Sequence, residues 1–257
     1  MGAENYTLGK GIIYFDRKDM TSGLYSGERD LGNAPAFSFN ISIEKLEHFS
    51  SRGGLKAKDK LVISQMTPSC TFTLDEITAE NFGLLAMADV IKVTQTGSTV
   101  SNEAHTAHVG MRFETAKRDI SAVTVTNVAG TTTFVNGSDY ILDTTLKDDK
   151  IGRIYIPVGS TIPEASIVHV DYTCASCTYT EVRAFKQTQV EGKLRFVSDN
   201  PAGKQMEVQI WRVSLTPSGD TAMIGDDWST LGFTGEILKD EAGHPTSPYM
   251  SLIMDQS

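Results

Sequence analysis

The stretch Ala36-Phe37-Ser38-Phe39-Asn40-Ile41-Ser42-Ile43 changes between apolar and small or polar residues at every step. Successive side chains of a strand point to opposite faces, so this period of two predicts a half-buried strand. Its apolar face is Phe37, Phe39, Ile41 and Ile43. The pattern returns where Cys70, Phe72 and Leu74 alternate with Thr71, Thr73 and Asp75. The run Met206–Thr216 starts with Met206, Val208 and Ile210 on one face, then changes to Trp211, Val213 and Leu215. That phase change predicts a bulge, or a strand passing from one packed sheet to another.

The composition extends this reading to the whole chain. Among 257 residues, 28 Thr, 18 Ile and 17 Val outnumber 16 Leu about fourfold. Branching at Cβ restricts χ1 and suits a pleated surface better than a helix. The expected fold is all-β with one short helix. The helix is expected over Ala79–Ala88, with Thr78 as N-cap, Glu80 in the first turn and Phe82, Leu85 and Ala86 as the apolar stripe.

Charge and motif content narrow the function. The net charge is −9, against the basic footprint a general nucleic-acid binder needs and against attachment to an anionic membrane. No stretch comes near the roughly 20 apolar residues of a membrane span. Met1–Asn5 has neither the basic nor the apolar region of a secretion signal. The phosphate-binding, dinucleotide, nucleophile-elbow and zinc-protease motifs are missing, so no enzyme activity and no cofactor are expected. Cys174 and Cys177 have half the spacing of a zinc site, with Cys70 the only other thiol. They are expected to be small, partly buried strand-end thiols and dispensable. His105 and His108, three apart on a strand, are expected to be surface histidines. Asp220, Asp226 and Asp227 lack EF-hand spacing and suggest an acidic turn. Trp211 and Trp228 suggest core or interface anchors.

The chain is expected to divide into a core of residues 1–118 and 176–257, interrupted by a β-rich module at 119–175. Asp119–Ala175 has its own strand rhythm (Ala122–Val128, Thr131–Val135, Ile151–Ile156, Ile167–Thr173), with turns at Ala129-Gly130, Asn136-Gly137 and Gly159-Ser160. Two long loops are expected, at Lys18–Gly32 and Glu44–Lys60. The second carries five basic and three acidic side chains, whereas Gly219–Ser257 carries seven acidic and one basic. Long unstructured loops are uncommon in compact domains unless they bind something.

Three segments together resemble tailed-bacteriophage tail tube proteins. The first is Trp211–Asp240, in which a long strand ends in Pro217-Ser218-Gly219, followed by Asp226-Asp227-Trp228 and a returning strand Phe233-Thr234-Gly235-Glu236-Ile237-Leu238-Lys239-Asp240. The second is Tyr6–Phe15 leading to Leu31–Phe39, and the third is Leu46–Leu55. The helix falls in that family's order of elements, and the 119–175 module is the departure from it. The resemblance implies two packed antiparallel sheets in a tail-tube-like β-sandwich or barrel, six copies in a ring, and rings stacked into a tube that delivers the genome. It implies tail terminator, distal tail or baseplate and tape-measure proteins as partners, and DNA passing through without specific binding. Assembly would take place in the host cytoplasm and the product would belong to the virion. It also puts a stacking loop at Glu44–Lys60, making Glu47, His48, Ser50, Ser51, Arg52, Lys56, Lys58 and Lys60 the candidate inter-ring contact. The alternative is a β-sandwich carbohydrate-binding or adhesin module of a phage fibre.

Overall fold

A computed structural model describes residues 6–143 and 151–254. Met1–Asn5, part of the 119–175 module and the end of the acidic C-terminal stretch lie outside the described residues. The chain forms two compact units, Met1–Ile91 with Val182–Ser257, and Lys92–Glu181. It is all-β with one helix.

The first unit begins with β1 (Gly11–Lys18), β2 (Tyr25–Asp30), β3 (Ala36–Ser50), β4 (Ala57–Leu74) and helix α1 (Ala79–Leu85). Then β5 (Asp89–Gln95) leads the chain out of it. The second unit contains β6 (Ser98–Ala107), β7 (Arg112–Arg118), β8 (Ile120–Asn127), β9 (Ile141–Leu142), β10 (Ile151–Tyr155) and β11 (Ser166–Cys174). The chain returns through β12 (Cys177–Arg183), which pairs with β5, and ends in β13 (Val190–Ser198), β14 (Met206–Pro217), β15 (Leu231–Ile237) and β16 (Met250–Met254).

The first unit is one antiparallel sheet ordered β2-β1-β13-β14-β15-β4-β3, with β16 also paired to β14. The sheet curls. Phe37 on β3 and Phe196 on β13 stand four strands apart in that order, yet their rings approach to 5.1 Å. The curl encloses a core that includes Ile13, Phe15, Phe72, Leu194, Ile210, Leu215 and Phe233. The phase change expected in β14 is a bulge. Gly192 pairs with Val213 and Leu194 with Ile210, so Trp211 and Arg212 together oppose Lys193. The bulge turns Val208, Ile210, Val213 and Leu215 all inward. It also divides the strand between two partners: Met206–Ile210 pairs with β16 and Val213–Pro217 with β15.

Helix α1 forms where its cap was expected. Thr78 is extended, and its hydroxyl accepts from the Asn81 backbone N–H. Asn81 itself is fully buried. Its amide donates to the Leu31 and Glu76 carbonyls at 2.8 and 2.9 Å and accepts from Arg29 at 2.9 Å. This knits the helix start to the turn after β2. The expected loop Lys18–Gly32 is shorter than read, because β2 occupies Tyr25–Asp30 and pairs with β1. Gly32 is required at the end of that turn: its φ is +81°, and a Cβ there would lie 2.1 Å from a Glu76 carboxylate oxygen.

The second unit packs two three-stranded sheets, β7-β10-β9 and β6-β11-β8. They surround their own core, which includes Val125, Tyr140, Ile154, Val168, Val170 and Tyr172. This unit starts earlier than the 119–175 module expected from sequence. β6 pairs with β11 from Ser98 to Ala107, and β7 pairs with β10. The apolar strand rhythm that marks the module in the sequence begins only at Asp119, whereas β6 and β7 bury few side chains. Thr131–Val135, expected as a strand, makes only an isolated bridge, Thr126 to Thr133.

The two cores share no residue, which predicts the outcome of excision. Removing Lys92–Glu181 and joining Ile91 to Val182 with a short Gly/Ser linker keeps every residue of the first core. That protein is expected to unfold cooperatively in a thermal melt. Removing only 119–175 strips β6 and β7 of their partners and is expected to give a less stable, aggregating product.

Asp139 ties the second unit together. Its carboxylate accepts from the Val135 backbone N–H at 2.8 Å, and from the Thr161 N–H and hydroxyl at 3.1 and 2.9 Å. These bonds hold its carboxyl below the ordinary value of 3.8, the Val135 N–H contributing most. A depressed folded pKa means that the unfolded chain takes up the proton first. The stabilisation is therefore complete above about pH 4 and lost as pH falls through the folded value. Asp139→Asn is expected to weaken the unit at neutral pH and to flatten its acid-unfolding profile, measured by tyrosine fluorescence between pH 7 and pH 2.

Candidate assembly surface

Glu44–Lys60, expected as a loop, is instead the outer part of a hairpin. β3 and β4 pair from Ala36↔Thr73 to Ser50↔Ala57, and only residues 51–56 form the turn. β15 pairs with β4 only over Ser69–Leu74. Beyond that point the hairpin leaves the sheet as a two-stranded arm. Its ten further β3 residues reach about 30 Å at the usual strand rise.

The root of the hairpin and the inner half of the arm have two unlike faces. On one, Phe39 pairs with Cys70, Ile41 with Pro68 and Ile43 with Met66. On the other, Ser38 pairs with Thr71, Asn40 with Ser69 and Ser42 with Thr67. The strand expected to be half-buried is thus correctly two-faced, but its apolar face is uncovered along the arm; Ile41 is 59% exposed. Sequence periodicity reveals such a face without saying whether the chain itself or a second molecule covers it.

The outer half is interrupted twice. The register shifts between Glu44 and Lys45 and again between His48 and Phe49, so Ser64 and Asp59 are extra residues on β4. After the first bulge, Leu46 faces Val62 on one side of the ribbon, while Ile63 and Leu61 stand opposite Lys45 and Glu47 on the other. Apolar side chains then occur on both sides, all exposed.

The residues expected at the inter-ring contact are brought together here. Glu47 and His48 lie on β3, Ser50 ends it, Ser51, Arg52 and Lys56 belong to the turn, and Lys58 and Lys60 lie on β4. Glu47 forms an ion pair with Lys58, whose ammonium stands 5.9 Å from the Phe49 ring centre. His48 meets Asp59 across the ribbon. Arg52, Lys56 and Lys60 make no ion pair among the described residues, and Leu55 at the turn is 86% exposed. The sequence reading of this segment missed the exposed apolar side chains that stand beside these residues, above all Leu46, Leu55, Val62 and Ile63.

The other candidate residues divide. His108 is exposed and its ring meets Glu164 at 2.7 Å. His105 is not a surface histidine: it stacks on Phe113 at 4.5 Å and meets Glu103 at 2.7 Å. Glu103 also accepts from Tyr172 and from the Ala116 N–H. Burial alone would raise its carboxyl, but these hydrogen bonds, Tyr172's largest, hold it below the ordinary value. Cys174 is buried with its Sγ 3.3 Å from the Ser98 hydroxyl, and Cys177 begins the next strand. Burial pushes the Cys70 thiol up to about 12, partly opposed by a Gly235 N–H, so it stays protonated and unreactive. Trp211 stacks on His244 at 3.7 Å and donates to the Ser247 carbonyl, which makes it an internal anchor. Trp228 is the reverse, 93% exposed on the loop between β14 and β15.

Among the described residues no three His, Cys, Asp or Glu side chains are grouped to hold a metal ion. No helix among them is long and apolar enough to cross a membrane.

Comparison with known proteins gives a family without a role. No curated protein matches the chain. A family model described as a protein of unknown function, UCP028589, matches residues 6–253, so the chain belongs to the UCP028589 family.

Proposed function

We propose that this protein is a structural subunit that assembles with copies of itself into rings stacked as a tube, the tail tube of a bacteriophage. The observation that carries the proposal is the arm. A two-stranded ribbon is at best marginally stable in water, and one with an uncovered face of Phe39, Ile41, Ile43 and Met66 gains stability from a partner. The open edges of β2, β3 and β16 add to this, since their N–H and C=O groups can pair with another strand. A contact of this kind repeated around an axis closes into a ring; repeated along it without closure, it gives a filament.

The resemblance of Tyr6–Phe15, Leu31–Phe39, Leu46–Leu55 and Trp211–Asp240 to tail tube proteins supports the choice of a tube as the assembly. In this reading the lumen carries DNA without holding it. A protein of net charge −9 can keep a duplex off its walls by like charge, whereas a basic wall would bind through counterion release. The tail terminator, distal tail or baseplate and tape-measure proteins would then be its partners, and the virion tail its place. The test is negative-stain microscopy across a concentration series, paired with a low-salt DNA shift assay. Rings or tubes with no shifted DNA are expected; a monomer that shifts DNA at low salt refutes the proposal.

A further inference from the structure

The arm and the loop at residues 218–230 lie at opposite ends of the same neighbouring strands. β15 pairs with β4 from Leu231↔Leu74 to Glu236↔Ser69. β4 continues past the Glu236 end as the arm, whereas the loop enters β15 at the Leu231 end. The loop is held at its base, where the Ser218 N–H donates to the Gly232 carbonyl at 2.9 Å, and across its span, where the Ser229 hydroxyl donates to the Ala222 carbonyl at 2.7 Å.

Its chemistry complements the arm's turn. The loop carries Asp220, Asp226 and Asp227 and no Lys or Arg. These three make no ion pair among the described residues, in contrast to Asp240 and Glu241 further on, which meet His244 and Lys239. Next to them Met223, Ile224 and Trp228 are strongly exposed, Ile224 at 97%. The tip of the arm offers the counterpart: Arg52 and Lys56 in the turn and Lys60 on β4, without an ion pair among the described residues, around exposed Leu55.

We infer that the turn of the arm on one copy docks on the 218–230 loop of the next. This inference rests on the assembly proposed above and names the partner surface for stacking. Two different surfaces at opposite ends of one strand direction make a head-to-tail contact, which builds a filament where each copy is displaced along that direction and the rotation does not close. Trp228, Ile224 and Leu55 anchor the contact, as large side chains do at the centre of interfaces. The opposite charges steer the encounter and fix its register.

Reciprocal charge reversal tests it. One variant carries Arg52→Glu, Lys56→Glu and Lys60→Glu, sparing Lys58 because Glu47 needs it. The other carries Asp220→Lys, Asp226→Lys and Asp227→Lys. All six positions are exposed, so each variant should melt like the parent. Each alone is expected to raise the concentration needed for tubes by more than about tenfold, because like charges then face each other. A mixture of the two triples in one chain is expected to recover tubes. If the parent forms tubes and the Asp-to-Lys variant stacks as well as the parent, the inference is overturned while the assembly proposal stands. Failure of the combined variant to recover tubes overturns the inference as well. A parent that stays monomeric at every concentration overturns both.

Discussion

Replacing Ile41 and Ile43 with Asp is expected to abolish assembly and leave the monomer folded. Both side chains stand on the exposed apolar face of the arm, paired with Pro68 and Met66. Burying a fully exposed isoleucine is worth about 1.5–3 kcal/mol; Ile41 is 59% and Ile43 40% exposed, so covering what remains of the pair contributes about 1.5–3 kcal/mol to each contact that buries it. At about 1.4 kcal/mol for each factor of ten, association should weaken by roughly tenfold to a hundredfold from this loss alone. Any carboxylate trapped unpaired in the contact adds to the loss. The isolated chain loses little, because neither side chain is buried in it. Sedimentation velocity should show a shift to the monomer, while the thermal melt stays within a few degrees of the parent. Asn40→Asp with Ser42→Asp alters the opposite, polar face and should weaken assembly far less. An Ile41→Asp/Ile43→Asp protein that assembles like the parent would mean that this face is not covered by a second copy.

The largest expected loss of stability is at the Phe72–Phe233 pair. The rings belong to neighbouring strands β4 and β15, stack at 4.9 Å with planes 17° apart, and are both buried. They also sit where the arm is rooted in the sheet, since Phe72 pairs with Phe37 on its other side. Truncating either to Ala removes a large buried ring and leaves a cavity, at a cost of about 3–5 kcal/mol. Total stabilities are about 5–15 kcal/mol, so much of the margin disappears. For a domain of this size the midpoint should fall by about 6–20 °C. Differential scanning calorimetry measures it directly. A shift of a degree or two for Phe233→Ala would show that the curled sheet is not held together at this pair.

How far the sequence discloses these features depends on what broke its period. β14 was legible through its bulge, because the inward face changes phase by one residue and stays apolar on both sides of it. Helix α1 was legible because Thr78 caps it and Phe82 and Leu85 share a stripe. The arm was legible only in its inner half. Beyond Ile43 the two bulges shift β4 against β3, so no alternation survives, and the Gly53-Gly54 turn and the charged residues around it read as a loop. The extent of the second unit was hidden for another reason. β6 and β7 have few apolar side chains, and of the ten residues of β6 only Ala107 is buried. Their membership is decided by pairing with β11 and β10, which lie some sixty and forty residues away in sequence. The acidic loop and Trp228 were visible as residues, but their exposure and their place opposite the arm follow from register alone.

The central claim is that copies of this chain join through the arm and the open sheet edges. The direct measurement is sedimentation velocity over a wide concentration range, with electron microscopy of the same samples. The account predicts that ring-sized species and then tubes appear as concentration rises, and that the Ile41→Asp/Ile43→Asp protein lacks both. A parent protein that sediments as a monomer at every concentration, and shows neither rings nor tubes in the microscope, would contradict it.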